Sequence, residues 1–144
     1  MLKKLAELWE WLWAPLRRGG TPSRHGKQPP ISFDAVQELN KLPSNDALLP
    51  GQFISVSHHG KLFWTVFRCP CGCGDVISLP MSPPHNPRWQ LSTSSAGRPT
   101  LYPSVWRNKG CKSHFWLTDG RVYWSEGSGT EPWKARPDIY DRKK

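Results

Sequence analysis

The segments CPCGCG, at residues 69–74, and CKSH, at residues 111–114, decide the fold, and together they contain all four cysteines of the chain. Tetrahedral zinc needs four nitrogen or sulfur donors on a backbone that is free to turn around the ion. The glycines between the cysteines relieve the steric cost of such a sharp turn. The two segments therefore predict a zinc site that holds a small domain together.

Five side chains are candidate ligands for the four positions of this site: Cys69, Cys71, Cys73, Cys111 and His114. Cys-x-x-His is ordinary spacing for zinc ligands, and this spacing favours His114 as a ligand in a closed, structural site. Alternatively, the four cysteines complete the tetrahedron and His114 is free. The clustering argues against inert cysteines or a disulfide, and the short Cys-x-Cys spacing suits iron–sulfur clusters poorly.

A free His114 beside a hydroxyl would supply the minimum needed for nucleophilic acyl chemistry. Ser104 and Ser113 are the candidate nucleophiles. Ser113 is the neighbour of His114, and neighbouring residues of a strand point to opposite faces, so Ser104 is the better candidate. Both serines also fit ordinary turn and strand positions, and the sequence leaves this alternative open.

Alternating apolar and polar residues predict a mainly β, zinc-stabilised antiparallel domain over residues 51–125. The 15 prolines and 12 glycines disfavour long helices, and the nine tryptophans of the whole chain are a packing signal, because aromatic rings can give a small sheet a core. Two hairpins are indicated, with turns at HHGK (58–61) and TDGR (118–121). The predicted strands cover residues 53–57, 62–67, 76–79, 89–92, 115–117 and 122–124.

The segments outside this domain have a different character. Apolar residues at helical spacing predict an amphipathic helix over residues 1–20, which would lie on a membrane surface, dock on a partner protein or pack on its own domain. A linker follows over 21–50 and includes a predicted short helix at 33–42. Residues 126–144 form a predicted polar tail.

The net charge of +9 favours acidic partners, including nucleic acid, although the basic residues are scattered along the chain. The Arg-Trp and Trp-Arg pairs at residues 88–89 and 106–107 would suit base stacking or a peptide groove. The first apolar stretch contains Glu7 and Glu10 and has no cleavage site, which argues against a secretory signal. We therefore expect a cytoplasmic protein.

Four ordered motifs resemble a known family: WTVFRCPCGCG (64–74), RWQLS (88–92), RPTLYPSVW (98–106) and GCKSHFW (110–116). The family comprises small bacterial and phage proteins, formerly listed as domain of unknown function 6527. Some members, called BubE, are encoded in operons beside ubiquitin-like proteins and their activating and conjugating enzymes. The resemblance implies a metal-binding β-rich fold and, for those members, processing or deconjugation of ubiquitin-like proteins, with serine-peptidase activity as one form of this role.

The combined interpretation is a zinc-binding β domain that acts as a peptidase or deconjugase on ubiquitin-like proteins or their conjugates. The alternative is a non-enzymatic adaptor that binds a protein or nucleic acid through a basic, Trp-rich face. The sequence identifies neither the substrate nor the oligomeric state.

Overall fold

The computed structural model describes residues 27–135 and 137, and nine strands account for most of the regular structure in this part of the chain. A 3-10 turn spans Asn45–Ala47, and a single helical turn, α1, spans Pro132–Ala135. The strands are β1 Val36–Leu39, β2 Phe53–His58, β3 Lys61–Arg68, β4 Val76–Pro80, β5 Gln90–Thr93, β6 Pro99–Tyr102, β7 Val105–Trp106, β8 His114–Thr118 and β9 Arg121–Trp124.

The strands form three sheets, with the orders β1-β2-β3-β4, β5-β6 and β7-β8-β9. Every pairing is antiparallel except that of β1 with β2, which is parallel. The fold is thus mainly β with antiparallel sheets, as predicted.

Both predicted hairpins are present, and each turns through two residues in the left-handed region. His59 and Gly60 join β2 to β3 with φ angles of 49° and 72°. Asp119 and Gly120 join β8 to β9 with φ angles of 48° and 70°. Two consecutive positive φ angles are typical of the turn type that matches the twist of antiparallel strands.

Buried phenylalanines join the sheets into one core. Phe53 of β2 stacks on Phe67 of β3 at a ring-centroid distance of 5.1 Å, and Phe33 packs edge-on against both rings. Phe115 of β8 packs edge-on against Phe67 at 6.5 Å. Burial of each such ring contributes on the order of 2–3 kcal/mol to folding. The large sheet and the β7-β8-β9 sheet therefore stabilise each other.

The prediction of a short helix over residues 33–42 is wrong. Val36–Leu39 is a strand, and its register with β2 pairs Val36 with Phe53 and Leu39 with Val56. The helical spacing of the apolar residues was a weak local signal, and pairing with β2 together with burial of Phe33 outweighs it.

The predicted N-terminal helix over residues 1–20 lies outside the described residues, and its association with a membrane or partner stays a prediction. Within the described residues, no helix has the length and apolar character to cross a membrane. The predicted polar tail contains α1, and Glu131, just before α1, forms an ion pair of 3.5 Å with Lys112.

Gly120 offers a test of this arrangement. A Cβ atom at this position would lie 2.1 Å from the backbone oxygen of Phe33, and φ is +70°. Gly120→Ala should therefore lower the free energy of unfolding by about 2–4 kcal/mol, as measured by chemical denaturation. Gly60→Ala is the matched control, because φ is +72° and a Cβ there meets nothing within 4 Å. It should cost only about 1 kcal/mol. Equal losses in the two variants would contradict the packing of this turn against Phe33.

Candidate functional site

Four thiols converge where the end of β3 meets the segment before β8. The Sγ atoms of Cys69, Cys71, Cys73 and Cys111 all lie within 4.8 Å of one another. Cys69 Sγ is 3.3 Å from Cys71 Sγ and 3.7 Å from Cys111 Sγ, and none of the four forms a disulfide. Four sulfurs around a zinc ion at 2.3 Å are about 3.8 Å apart, so the group has the composition and size of a tetrahedral metal site.

The CPCGCG turn is folded by its own backbone and by Arg68. The Cys69 backbone N–H donates to the Asp75 carbonyl at 2.8 Å, and the Gly72 N–H donates to the Cys69 carbonyl at 3.2 Å. Arg68, the last residue of β3, donates to the Gly74 carbonyl at 2.5 Å and to the Leu48 carbonyl at 2.6 Å. These bonds hold the three clustered cysteines on one side of the turn.

Ser113 and Arg107 surround the sulfur cluster. Ser113 Oγ is 3.1 Å from Cys111 Sγ and 3.7 Å from Cys69 Sγ, and the Ser113 side chain is buried. Arg107 Nη1 lies 3.5 Å from Cys111 Sγ and 3.0 Å from the carboxylate of Asp75. A guanidinium and a hydroxyl beside thiolates offset part of the negative charge that four such ligands bring together.

The thiols differ in acidity. Burial raises the pKa of Cys69 to about 12. Burial also acts on Cys111, but hydrogen bonds to the side chain and backbone of Ser113 outweigh it and lower the Cys111 pKa to about 6. Cys111 is therefore the thiol most readily deprotonated near neutral pH, and the thiolate is the form that binds metal.

A serine and a histidine form a second group. Ser104 Oγ lies 3.0 Å from His114 Nε2. Ser104 follows β6 and precedes β7, whereas His114 is the first residue of β8. The Ser104 carbonyl accepts a hydrogen bond of 3.2 Å from Trp89 Nε1. The distance between hydroxyl and imidazole is that of a nucleophile and its general base.

The imidazole of His114 is held in place by an indole. Trp106 stacks on it with ring centroids 4.1 Å apart and an interplanar angle of 4°. The backbone N–H of His114 donates to Ser128 Oγ at 3.0 Å. Burial lowers the pKa of His114 below its ordinary value of 6.5. The ring is therefore neutral at neutral pH, the state in which a ring nitrogen accepts a proton from serine.

No side chain of the described residues hydrogen-bonds Nδ1 of His114, which is buried. When Nε2 accepts the Ser104 hydroxyl, Nδ1 carries the ring hydrogen. The carboxylate that orients histidine in a Ser-His-Asp triad thus has no counterpart within this part of the chain. The described residues provide a Ser–His dyad supported by Trp106.

The two groups lie on opposite faces of the same pair of strands. Trp106 of β7 and His114 of β8 are register partners, and their side chains lie on the face that carries the Ser104–His114 pair. Arg107 follows Trp106 and Ser113 precedes His114; these two neighbours are joined by a backbone hydrogen bond of 2.9 Å, and both contact the sulfur of Cys111. Alternation along the strands thus places the residues that contact Cys111, Arg107 and Ser113, one position away from Trp106 and His114.

The five candidate ligands fall into two sets. The four cysteines come together, whereas His114 lies outside their group and contacts Ser104. Ser113, the second candidate nucleophile, contacts the cysteines. Sequence reasoning missed the roles of Arg107, Ser128 and the Trp106 ring. The Trp-Arg pair at residues 106–107 was the signal for two of these roles. Because side chains alternate along a strand, the two residues could have been predicted to lie on different faces.

Comparison with known proteins identifies the family. No curated protein and no solved structure matches the chain. One family model does match, over residues 39–125, and its description is bacterial ubiquitination-like system serine protease (BubE). The match includes both the cysteines and the Ser104–His114 pair, and it confirms the resemblance found in the sequence. The family model matches more than half of the residues of this chain, and the chain therefore belongs to the BubE family.

Proposed function

We propose that this chain is a serine hydrolase that cleaves ester or amide bonds at the C-terminus of a ubiquitin-like protein, with Ser104 as nucleophile and His114 as general base. The observation that carries the proposal is the 3.0 Å distance between Ser104 Oγ and His114 Nε2. The family's description, serine protease of a ubiquitination-like system, supports the substrate class.

The reaction would follow the order of acyl transfer. His114 Nε2 takes the Ser104 proton as Oγ attacks the substrate carbonyl carbon, and the imidazolium then returns that proton to the leaving alcohol or amine. Water, deprotonated by the same nitrogen, attacks the acyl–Ser104 ester; the imidazolium returns this proton to Ser104 Oγ as the ester bond breaks, and the product leaves as the carboxylate. Both halves of the reaction need neutral imidazole, which burial of His114 favours.

Stacking on Trp106 takes over the positioning role that a carboxylate has in a triad. A ring held face to face at 4.1 Å is restrained in its tilt, and so Nε2 stays directed at Ser104. The indole gives no negative charge to stabilise the imidazolium. We therefore expect slower turnover than in triad enzymes, since charge stabilisation there contributes strongly to the rate.

We further propose that the four cysteines bind one zinc ion with a structural role. The convergence of four sulfurs, with distances of 3.3 and 3.7 Å among them, supports this assignment. Four protein ligands leave no open position for substrate or water. A metal held by Cys69 and Cys111 would link β3 to the residues that lead into β8, and thereby fix the position of His114.

Substitution of the dyad tests the hydrolase assignment. Ser104→Ala and His114→Ala should each lower kcat by at least about a thousandfold on a ubiquitin-like fusion, because nucleophile and base act as one unit. Melting temperature and metal content should stay unchanged. Ser113→Ala is the control and should keep most of the activity, because its hydroxyl faces Cys111. A wild-type protein that hydrolyses no ubiquitin-like ester or amide would instead favour the adaptor.

The pH dependence tests the state of His114. Protonated imidazole cannot accept the serine proton, so kcat/KM should fall as the pH falls through the His114 pKa. Burial lowers that pKa, and the inflection should therefore lie below 6.5. Trp106→Ala should expose the ring and move the inflection upward. An inflection above 6.5 in the wild type would argue against His114 as the buried base.

Metal analysis tests the zinc assignment. Purified protein should contain about one zinc per chain, and Cys71→Ser or Cys111→Ser should lose the metal and unfold, because metal binding is coupled to folding in small domains. His114→Ala should retain the zinc. Loss of zinc in His114→Ala would instead show that His114 is a zinc ligand, and it would contradict the role of His114 as general base.

A further inference from the structure

Two aromatic side chains beside the dyad are exposed to solvent. The Tyr102 residue is 62% exposed and the Trp116 residue is 42% exposed. Their ring centroids are 6.4 Å apart at an interplanar angle of 40°, so the two rings form one continuous apolar surface. We call Tyr102 and Trp116 the aromatic pair.

The aromatic pair does not contribute to the core. Its strand neighbours Leu101, Phe115 and Leu117 are buried and supply the apolar contacts of β6 and β8. A β strand turns alternate residues to opposite faces, and so Trp116 points away from the core that Phe115 and Leu117 enter. The fold therefore leaves this large apolar surface without a partner in the described residues.

Both members lie close to the reacting atoms. Trp116 follows His114 by two residues on β8, which places both on the same face, about 7 Å apart along the strand. Tyr102, at the end of β6, precedes Ser104 by two residues. An extended substrate with its scissile carbonyl at Ser104 would span the same distance with two residues. The aromatic pair is thus within reach of the residues flanking the cleaved bond.

The surroundings favour a polymer over a small molecule. Tyr102 and Trp116 are 62% and 42% exposed, on the side that faces away from the core. The aromatic pair forms a surface and not an enclosed pocket. Tyrosine and tryptophan on such surfaces are the residues that most often dominate protein binding energies.

Resting on the proposed hydrolase function, we propose that the aromatic pair is a subsite that binds an apolar side chain in the extended C-terminal tail of the ubiquitin-like substrate, about two residues from the cleaved bond. The subsite selects substrate through burial of that side chain against Tyr102 and Trp116. It takes no part in proton transfer, so its effect is on binding.

The test measures binding separately from catalysis. The ubiquitin-like protein of the same conjugation system, labelled with a fluorophore, is titrated with the Ser104→Ala chain, and Kd is read from fluorescence anisotropy. In the Ser104→Ala chain, a second substitution, Tyr102→Ala or Trp116→Ala, should raise Kd about tenfold, which is a typical effect of truncating a central aromatic contact. Trp116→Phe should recover most of the affinity. Thermal melts of all variants establish that each is folded.

Trp124→Ala is the matched control, because Trp124 is 49% exposed, belongs to the same sheet and packs on Phe115 on the opposite face. It should change Kd less than twofold. Replacing the apolar tail residue of the ubiquitin-like protein by serine should raise Kd for the chain that keeps the aromatic pair. The same replacement should have little further effect once Trp116 is alanine, because the two changes remove one contact.

The outcomes separate the two proposals. Unchanged Kd in Tyr102→Ala and Trp116→Ala overturns the subsite, and the hydrolase assignment stands if the otherwise wild-type chain still cleaves a p-nitrophenyl ester through Ser104. Raised Kd, with no hydrolysis of any ester by the wild type, supports the aromatic pair as a binding surface and overturns the hydrolase assignment. An equal rise in Kd in both aromatic variants and in Trp124→Ala would show that the effect is not specific to the aromatic pair and overturn the subsite.

Discussion

The contact between Cys69 and Cys111 is the constraint on which the site depends. Their Sγ atoms are 3.7 Å apart, although one follows β3 of the large sheet and the other precedes β8 of the small sheet. Four thiols within 4.8 Å gain only weak S–H hydrogen bonds from contact with one another, and thiolates there would repel. A bound cation would supply the missing attraction, and this need is the physical basis for the proposed metal.

The order of residues on β7 and β8 couples this cluster to the dyad. Arg107 and Ser113 contact the sulfur of Cys111, while their neighbours Trp106 and His114 stack on each other on the other face. Ser113, which contacts Cys111, is one peptide unit from His114, so a change at the cysteines reaches the imidazole through a single neighbouring residue. In the proposed mechanism, a closed metal site with no position for substrate would thus support the Ser–His reaction through these neighbouring residues.

Local signals allowed prediction of the hairpins and the cysteine cluster, but pairings between distant segments were not predictable. The turns at Asp119-Gly120 and His59-Gly60 depend on left-handed backbone that adjacent residues favour. The strand Val36–Leu39 depends on parallel pairing with β2, for which the sequence has no local signal. Likewise, the sequence offered Ser104 and His114 as one alternative, and only the register of β7 with β8 places them 3.0 Å apart.

Covalent labelling by a fluorophosphonate tests the proposed activation of Ser104 without knowledge of the substrate. Such a reagent forms a stable adduct with a serine whose hydroxyl is deprotonated by a neighbouring base. Activation of Ser104 by His114 predicts a single adduct, located on Ser104 by peptide mass spectrometry, that is absent from folded His114→Ala protein. Absence of any adduct on the folded, metal-loaded wild type, or labelling of Ser104 that is unchanged in His114→Ala, would contradict it.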